Sequence, residues 1–268
     1  MQIRRLKLKK LNNIRDLGGL PTEDGGRLKH GLLFRSGRLY KLPRSSVEAI
    51  KALGIKKIID LRTDREREEY DCEPIDGIEH IHIPLVCTAT TGITHSKSMA
   101  RTMREESRRI AAEFGTADNY MKKMYEIILF DEGSRARLKT IFDILLSTNG
   151  GVLWHCNAGK DRTGIIAMLI EGVCGVDEST IIEDYAVSDK FQRKKRAPQK
   201  LLLHIFPMPR GFKHILLALI KAKPEYMKGA INAIKERYGS FENYFKEGLL
   251  FDEKSIAALK EKYTEPAN

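Results

Sequence analysis

Val152-Leu153-Trp154-His155-Cys156-Asn157-Ala158-Gly159-Lys160-Asp161-Arg162-Thr163-Gly164 is the stretch whose reading decides the fold. The apolar run from Gly151 to Trp154 predicts a buried strand, and Gly164-Ile165-Ile166-Ala167-Met168-Leu169-Ile170 predicts an apolar helix. Between them lies a short polar loop that opens on a cysteine. A strand, a tight loop and a helix N-terminus aim backbone N–H groups at one point, an arrangement that binds phosphate. Cys156 falls at the bottom of that cup and Arg162 at its far lip. Five residues separate them, which lets the guanidinium reach the anion that the sulfur attacks, with two donors on two oxygens. A free thiol has a pKa of about 8.5. A helix N-terminus with Arg and Lys nearby brings it to roughly 3.5–7.5, leaving a nucleophile at neutral pH. Gly159 permits the positive φ that the turn calls for, and the Thr163 hydroxyl can donate to the sulfur and help it leave later.

Other loops fit less well. A nucleotide-binding loop needs Gly-Lys-Ser/Thr after an earlier glycine, whereas Asp161 follows Lys160 and Trp154 stands where the first glycine belongs. A sulfur-transfer loop would close a smaller ring and has no need of Arg-Thr-Gly. A buried structural cysteine explains Cys156 alone, but not His-Cys-x5-Arg-Thr-Gly set between a strand and a helix.

The run His155 to Gly164 resembles the signature loop of the cysteine-dependent protein tyrosine phosphatase superfamily. Its Ala-Gly-Lys-Asp variant is similar to a bacterial and fungal branch whose members act on phosphotyrosine and, in several cases, on phosphoinositides. Asn13-Ile14-Arg15-Asp16-Leu17-Gly18-Gly19 and Leu33-Phe34-Arg35-Ser36-Gly37 resemble that branch as well. So does Ile59-Asp60-Leu61-Arg62-Thr63-Asp64-Arg65-Glu66, with its acid four residues after the arginine. The likeness runs from about residue 12 to the C-terminus.

This resemblance implies an α/β fold, a central mostly parallel sheet flanked by helices, with a helical lid insertion. It implies one phosphatase domain over 1–268, with a basic lid at about 189–236. The expected activity is phosphomonoester hydrolysis through a phosphocysteine, on phosphotyrosine, phosphoserine or phosphothreonine and phosphoinositides. The catalytic set is Cys156, Arg162, Asp161, Thr163 and His155; the substrate-binding set is Asn157, Ala158, Gly159, Lys160, Asp60 and Arg62. Neither a metal nor another cofactor is implied. The alternative is a phospho-group binding module that keeps the cup and turns over weakly.

Several roles stay open at this level. The leaving oxygen needs a proton from a carboxylic acid. Asp161 is favoured, as the resemblance to Lys-Asp loops implies. The structural alternative pairs it with Lys160 or Arg162, and Asp60 is the competing acid or an orienting group. His155 either orders the loop behind the thiolate or is a satisfied core histidine. Lys160 supplies charge for a second phosphate or carboxylate, or is an exposed lysine.

The chain has 268 residues and a net charge of +11, which predicts attraction to phosphoproteins, inositol lipids or an anionic membrane surface. No known nucleic-acid motif interleaves aromatics with base-reading side chains, so a nucleic-acid partner is not expected. The four cysteines, Cys72, Cys87, Cys156 and Cys174, lack metal-binding spacing and suit a reducing compartment. The basic N-terminus has no apolar run behind it and no apolar stretch reaches about 18 residues, so a cytoplasmic location is expected.

Elsewhere, glycines and Pro21 punctuate a hairpin in 11–37 with its turn near Asp24-Gly25-Gly26. Ser45 and Ser46 are expected to cap a helix that Gly54 stops; Thr63 to Tyr70 reads as a capped helix and Ile78 to Pro84 as a strand. Helices are expected at 98–114, 116–130, 134–147 and 178–187, a loop at 85–97, and an amphipathic helix from Asp252 with Ile256 and Leu259 inward. Residues 189–213 hold eight basic residues against Asp189, read equally as a solvated face or a lid.

Overall fold

The structure is a computed structural model that describes residues 4–85, 108–192, 213 and 217–266. In chain order its strands are β1 (Arg4–Arg5), β2 (Arg15–Asp16), β3 (Gly26–Leu28), β4 (Leu33–Ser36), β5 (Ile55–Asp60), β6 (Glu79–His82), β7 (Gly151–His155) and β8 (Thr264–Pro266). The main helices are α1 (Arg44–Ala52), α2 (Asp64–Glu69), α3 (Ala117–Phe130), α4 (Glu132–Ser147), α5 (Asp161–Val173), α6 (Glu178–Ala186), α7 (Pro224–Tyr238) and α8 (Glu253–Tyr263).

Six strands form the central sheet in the order β1-β2-β4-β7-β5-β6. The β4, β7, β5 and β6 strands run parallel, while β1 and β2 are antiparallel additions at the β4 edge. All of β7 is buried, as a central strand covered on both faces must be. Its side chains alternate between faces. Leu153 joins Phe34, Ile58 and Ile50 in a smaller cluster under α1, whereas Val152 and Trp154 join the larger core built with α3 to α8. The α5 helix is apolar all round, with Ile165 to Ile170 fully buried, so it threads the core rather than lying on it.

Local chemistry explains most boundaries. Thr116, Asp131, Asp177 and Asp252 each accept a backbone N–H at the start of α3, α4, α6 and α8. Thr63 and Glu66 close a reciprocal capping box around α2. The expected serine caps of α1 are not used. The helix begins at Arg44 behind Pro43, and the Ser46 hydroxyl instead donates to the Lys9 carbonyl at 2.9 Å. The expected hairpin forms around Asp24-Gly25-Gly26, with Gly25 at φ 83° and an antiparallel bridge between Pro21 and Arg27, and β3 also pairs with the C-terminal β8, a partner 238 residues away at Arg27 and Glu265.

Residues 86–97 of the loop expected at 85–97, and residues 98–107 of the helix expected at 98–114, lie outside the described residues. So do six of the eight cations in the 189–213 part of the expected lid, from Arg193 to Arg210. The C-terminal part of that lid is described and is a core helix: Tyr226, Met227, Ala230, Ile231 and Ile234 of α7 are buried against α3 and α6. Among the described residues, no helix is long and apolar enough to cross a membrane.

Candidate active site

The register brings Ser36, His155 and Asp60 side by side at the carboxyl ends of β4, β7 and β5. Open α/β sheets bind ligands at that edge. After His155 the chain turns through Cys156 to Lys160 and enters α5, which starts at Asp161, three residues before the expected Gly164. Asp161 and Arg162 therefore stand on the first helical turn. Cys156 is 3% exposed, and its sulfur accepts the Gly159 N–H at 3.2 Å. Gly159 has φ +65°, and a Cβ there would lie 2.3 Å from the Ser36 carbonyl oxygen. Only glycine fits.

The loop is braced from outside through its carbonyls. Asn157 O accepts the Arg38 N–H at 3.2 Å, and Ala158 O accepts Gln192 Nε2 at 2.7 Å. Gly159 O accepts Asn13 Nδ2 at 2.7 Å and Arg35 at 3.1 Å, and Lys160 O accepts Arg35 at 3.4 Å. With the carbonyls turned out, the N–H edge is left facing the cup.

Behind these braces lies a buried ionic cluster. Asp184 of α6 accepts Arg15 at 2.7 Å and Arg35 at 2.6 Å, and Arg15 also donates to the side chains of Asn13 and Ser188. Arg15, Arg35 and Asp184 are each no more than 1% exposed. Burial alone would push Asp184 up, but the two guanidiniums hold its carboxyl below the usual range. The Asn13, Arg35 and Asp184 motifs, distant in sequence, thus converge on one scaffold under the loop.

Arg162 is oriented by Glu66. Its NH1 and NH2 donate to the two Glu66 carboxylate oxygens, each at 2.7 Å, and NH1 also reaches Leu61 O at 3.2 Å. This end-on grip leaves the Nε–H and the second NH2 hydrogen, a parallel pair of donors on the other edge, without an acceptor among the described residues. Glu66 further accepts Asn157 Nδ2 at 2.5 Å. Burial opposes its charge, yet the Arg162 hydrogen bonds hold its carboxyl below the ordinary glutamate range.

Asp161 is partly exposed, and its Oδ1 accepts the Tyr125 hydroxyl at 2.6 Å and faces the Lys160 ammonium at 3.3 Å. Tyr125 is kept a neutral donor by burial and by the Asp161 charge, and its hydroxyl also meets that of Tyr185 at 2.7 Å.

Four expectations change in the structure. Lys160 is 1% exposed, not a solvent lysine, and its ammonium donates to Leu219 O at 2.7 Å and Lys221 O at 2.9 Å. That ammonium fastens the chain after the basic stretch to the loop; it is not directed at a second anion. Arg62 is fully buried, with its guanidinium divided among Asp60, the Tyr70 carbonyl and the Cys72 sulfur, so it does not reach the pocket. Asp60 is the partner of Arg62. Burial would raise it, but the Arg62 hydrogen bonds bring it down to about 2, too acidic to carry a proton at neutral pH. Thr163 Oγ1 is buried and makes no hydrogen bond to the sulfur or to any other described group.

His155 is 1% exposed, 3.8 Å from Asp60 and 3.4 Å from Cys156 O. Burial pushes its pKa down to about 4 against the pull of Asp60, so the ring is neutral and backs the loop as a packed side chain. Asp60, Cys72 and His155 place ligand-type atoms within 4.8 Å of one another. The Arg62 guanidinium bonds both Asp60 and Cys72 there, and burial pushes the Cys72 thiol up to about 11, so the group does not suit a cation.

Sequence reasoning did not assign Glu66, Tyr125, Asn13, Arg35 or Gln192 to the site. Glu66 carried a signal, as the acid four residues after Arg62. Asn13 and Arg35 carried one too, inside quoted motifs. Tyr125 carried none, being at core spacing on α3.

A model of the tyrosine phosphatase family matches residues 6–265, and the chain belongs to that family. It is a protein-tyrosine-phosphatase-like hydrolase. A Cupriavidus necator protein that carries the tyrosine-protein phosphatase name is 27% identical, over 94% of this chain and 86% of its own. The triple specificity protein phosphatase PtpB of Mycobacterium tuberculosis is also 27% identical, over 88% of this chain and 90% of its own. A tyrosine-protein phosphatase of Nostoc commune is 32% identical over 58% of this chain and 47% of its own.

Proposed function

We propose that the chain hydrolyses phosphotyrosine by two phosphoryl transfers through a phosphocysteine on Cys156. The observation that carries this reading is the free edge of Arg162. Glu66 occupies the other edge, so two parallel donors stand open above the sulfur's loop. The phosphate seats on these donors and the loop N–H groups. The Cys156 thiolate attacks phosphorus in line as the P–O bond to the leaving group breaks. As charge moves onto the equatorial oxygens, the preorganised donors strengthen their hold.

Asp161 supplies the leaving-group proton. Its Oδ1 is fixed by Tyr125 and Lys160, which leaves Oδ2 to carry the proton to the leaving oxygen and take one back from the attacking water. Water then breaks the S–P bond. His155 and the Asp60–Arg62 pair act as the wall behind the loop.

The reading extends to phosphoserine, phosphothreonine and phosphoinositides, supported by the net charge of +11 and by the likeness to a relative named for triple specificity. Described residues on either side of the basic stretch hold the loop, Gln192 on Ala158 O and the carbonyls of Leu219 and Lys221 on Lys160.

Phosphate release, measured at about pH 5–7.5, tests the reading with a phosphotyrosine peptide, a phosphoserine peptide and phosphoinositide vesicles. Release from phosphotyrosine that disappears in Cys156→Ser supports it. Tight binding without release from any substrate would make the chain a phospho-group binding module.

A further inference from the structure

We propose that the cavity lined by Lys10, Asn12, Arg38, Tyr40 and Lys41 is a second anion subsite, which takes an acidic side chain flanking the phosphotyrosine of a peptide substrate. This deepens the phosphatase reading and rests on it.

Position comes first. Residues 37–41 follow β4 as Cys156 follows β7, so both leave the same carboxyl edge of the sheet from neighbouring parallel strands. The two segments are tied directly: Arg38 N–H bonds Asn157 O at 3.2 Å, and Gly37 N–H bonds Asn12 O at 2.8 Å. The cavity, about 360 Å³, therefore opens beside the cup, yet no residue from Cys156 to Arg162 lines it. It is a separate chamber next to the phosphate loop.

Charge comes second. The lining holds three cations and no acid. Among the described residues, none of Lys10, Arg38 and Lys41 forms an ion pair with a carboxylate. Arg38 instead lies 3.4 Å from the centroid of the Tyr70 ring, and Lys41 lies 5.2 Å from that of Tyr40. Tyr40 and Tyr70 meet edge to face at 5.2 Å. The aromatic pair holds Arg38 and Lys41 without neutralising them. Most other cations near the loop are neutralised or engaged: Arg15 and Arg35 by Asp184, Arg62 by Asp60, Lys160 by carbonyls and Asp161.

Backbone comes third. Lys10 has φ 59° and Lys41 has φ 47°, the left-handed region that side chains other than glycine rarely adopt. Asn13, which braces the loop, is at φ 58°. Such conformations persist where the surrounding structure imposes them, and they gather at binding sites.

The location favours a peptide over an inositol ring. A ring carries its second phosphate close to the scissile one, within the cup, where the one buried lysine is already engaged. The cavity lies outside the cup, at the reach of a neighbouring residue's side chain.

The test compares kcat/KM for matched phosphotyrosine peptides with acidic or neutral flanks, in the unaltered chain and in Lys10→Asn/Lys41→Asn. Asparagine tolerates the left-handed backbone, so the exchange removes charge without straining the loop. The same pairs are titrated onto the Cys156→Ser chain, with and without the lysine exchanges. The acidic peptide is expected to be favoured by about tenfold, mostly in KM and in binding, with the ratio falling to about one in the double variant and at high salt. An equal ratio in the unaltered chain, or one that survives the double exchange, overturns the subsite. Loss confined to polyphosphoinositide vesicles overturns the peptide assignment. Absent turnover with the binding preference intact sinks the catalytic reading and leaves the subsite standing.

Discussion

Arg162 keeps one guanidinium edge open among the described residues because Glu66 holds the other. In the proposed reaction this pairing fixes a long, rotatable side chain for the phosphate and lowers the entropy lost on binding. Glu66→Gln keeps the shape but gives up one of the two charged acceptors. We expect kcat/KM to fall by about 10–100-fold, with a smaller effect on KM alone; unchanged kinetics would show that Arg162 needs no such partner. Asp161→Asn tests the proton donor. The loss in kcat should be about 10²–10⁴-fold for an alkyl phosphate or phenyl phosphate and far smaller for a nitrophenyl ester, whose leaving group needs little protonation. Equal losses on both would assign Asp161 to loop structure alone. At this scale the loop geometry around Cys156 and Gly159 was legible: Gly159 takes the positive φ expected of it, and its N–H reaches the sulfur three residues back. Lys160 and Arg62 were not. Their partners are the carbonyls of residues 219 and 221 in one case and Tyr70 and Cys72 in the other, and no local spacing announces such contacts.

Elements matter through where they end. The β4, β7 and β5 strands stop level, and the loops that leave them form the cup, its brace and the wall with Asp60. The strand-to-helix reading of 151–170 followed from an apolar run and a polar break, and the structure has both elements. The α5 start moved to Asp161, since a polar first turn carries no apolar signal. The serine caps of α1 failed because Pro43, with its fixed φ, already sets the first turn, freeing Ser46 to bond Lys9 O. The bracing cluster was invisible as a cluster: Arg15, Arg35 and Asp184 lie on three elements and meet only in the fold. Asp184→Asn leaves two buried guanidiniums short of their counter-charge. We expect a loss of about 3–5 kcal/mol in unfolding free energy and weaker phosphate binding, read by denaturation and by isothermal titration. Unchanged stability would mean that the carbonyl contacts of Arg35 suffice without the ion pair.

The whole molecule is strongly basic, yet two buried titratable groups behind the loop, His155 and Asp60, set an acid limit to its stability. His155 is held neutral, its pKa pushed by burial from 6.5 to about 4. The unfolded chain takes up that proton first, so the stabilisation is full above pH 6.5 and is lost as pH falls from there to about 4. The shift corresponds to about 3 kcal/mol. Asp60 adds a second, lower window, between its ordinary 3.8 and about 2. His155→Gln should flatten the upper window in a series of denaturation curves while leaving the lower one; an unchanged slope would show that the ring is charged in the fold. The most direct measurement of the central claim is an acid quench during turnover of a phosphotyrosine peptide, followed by mass spectrometry of the peptide that carries Cys156. A phosphoryl group on Cys156 that forms and decays at the rate of turnover, and is absent in Cys156→Ser, is the predicted result. Phosphate release that continues in Cys156→Ser would contradict the account.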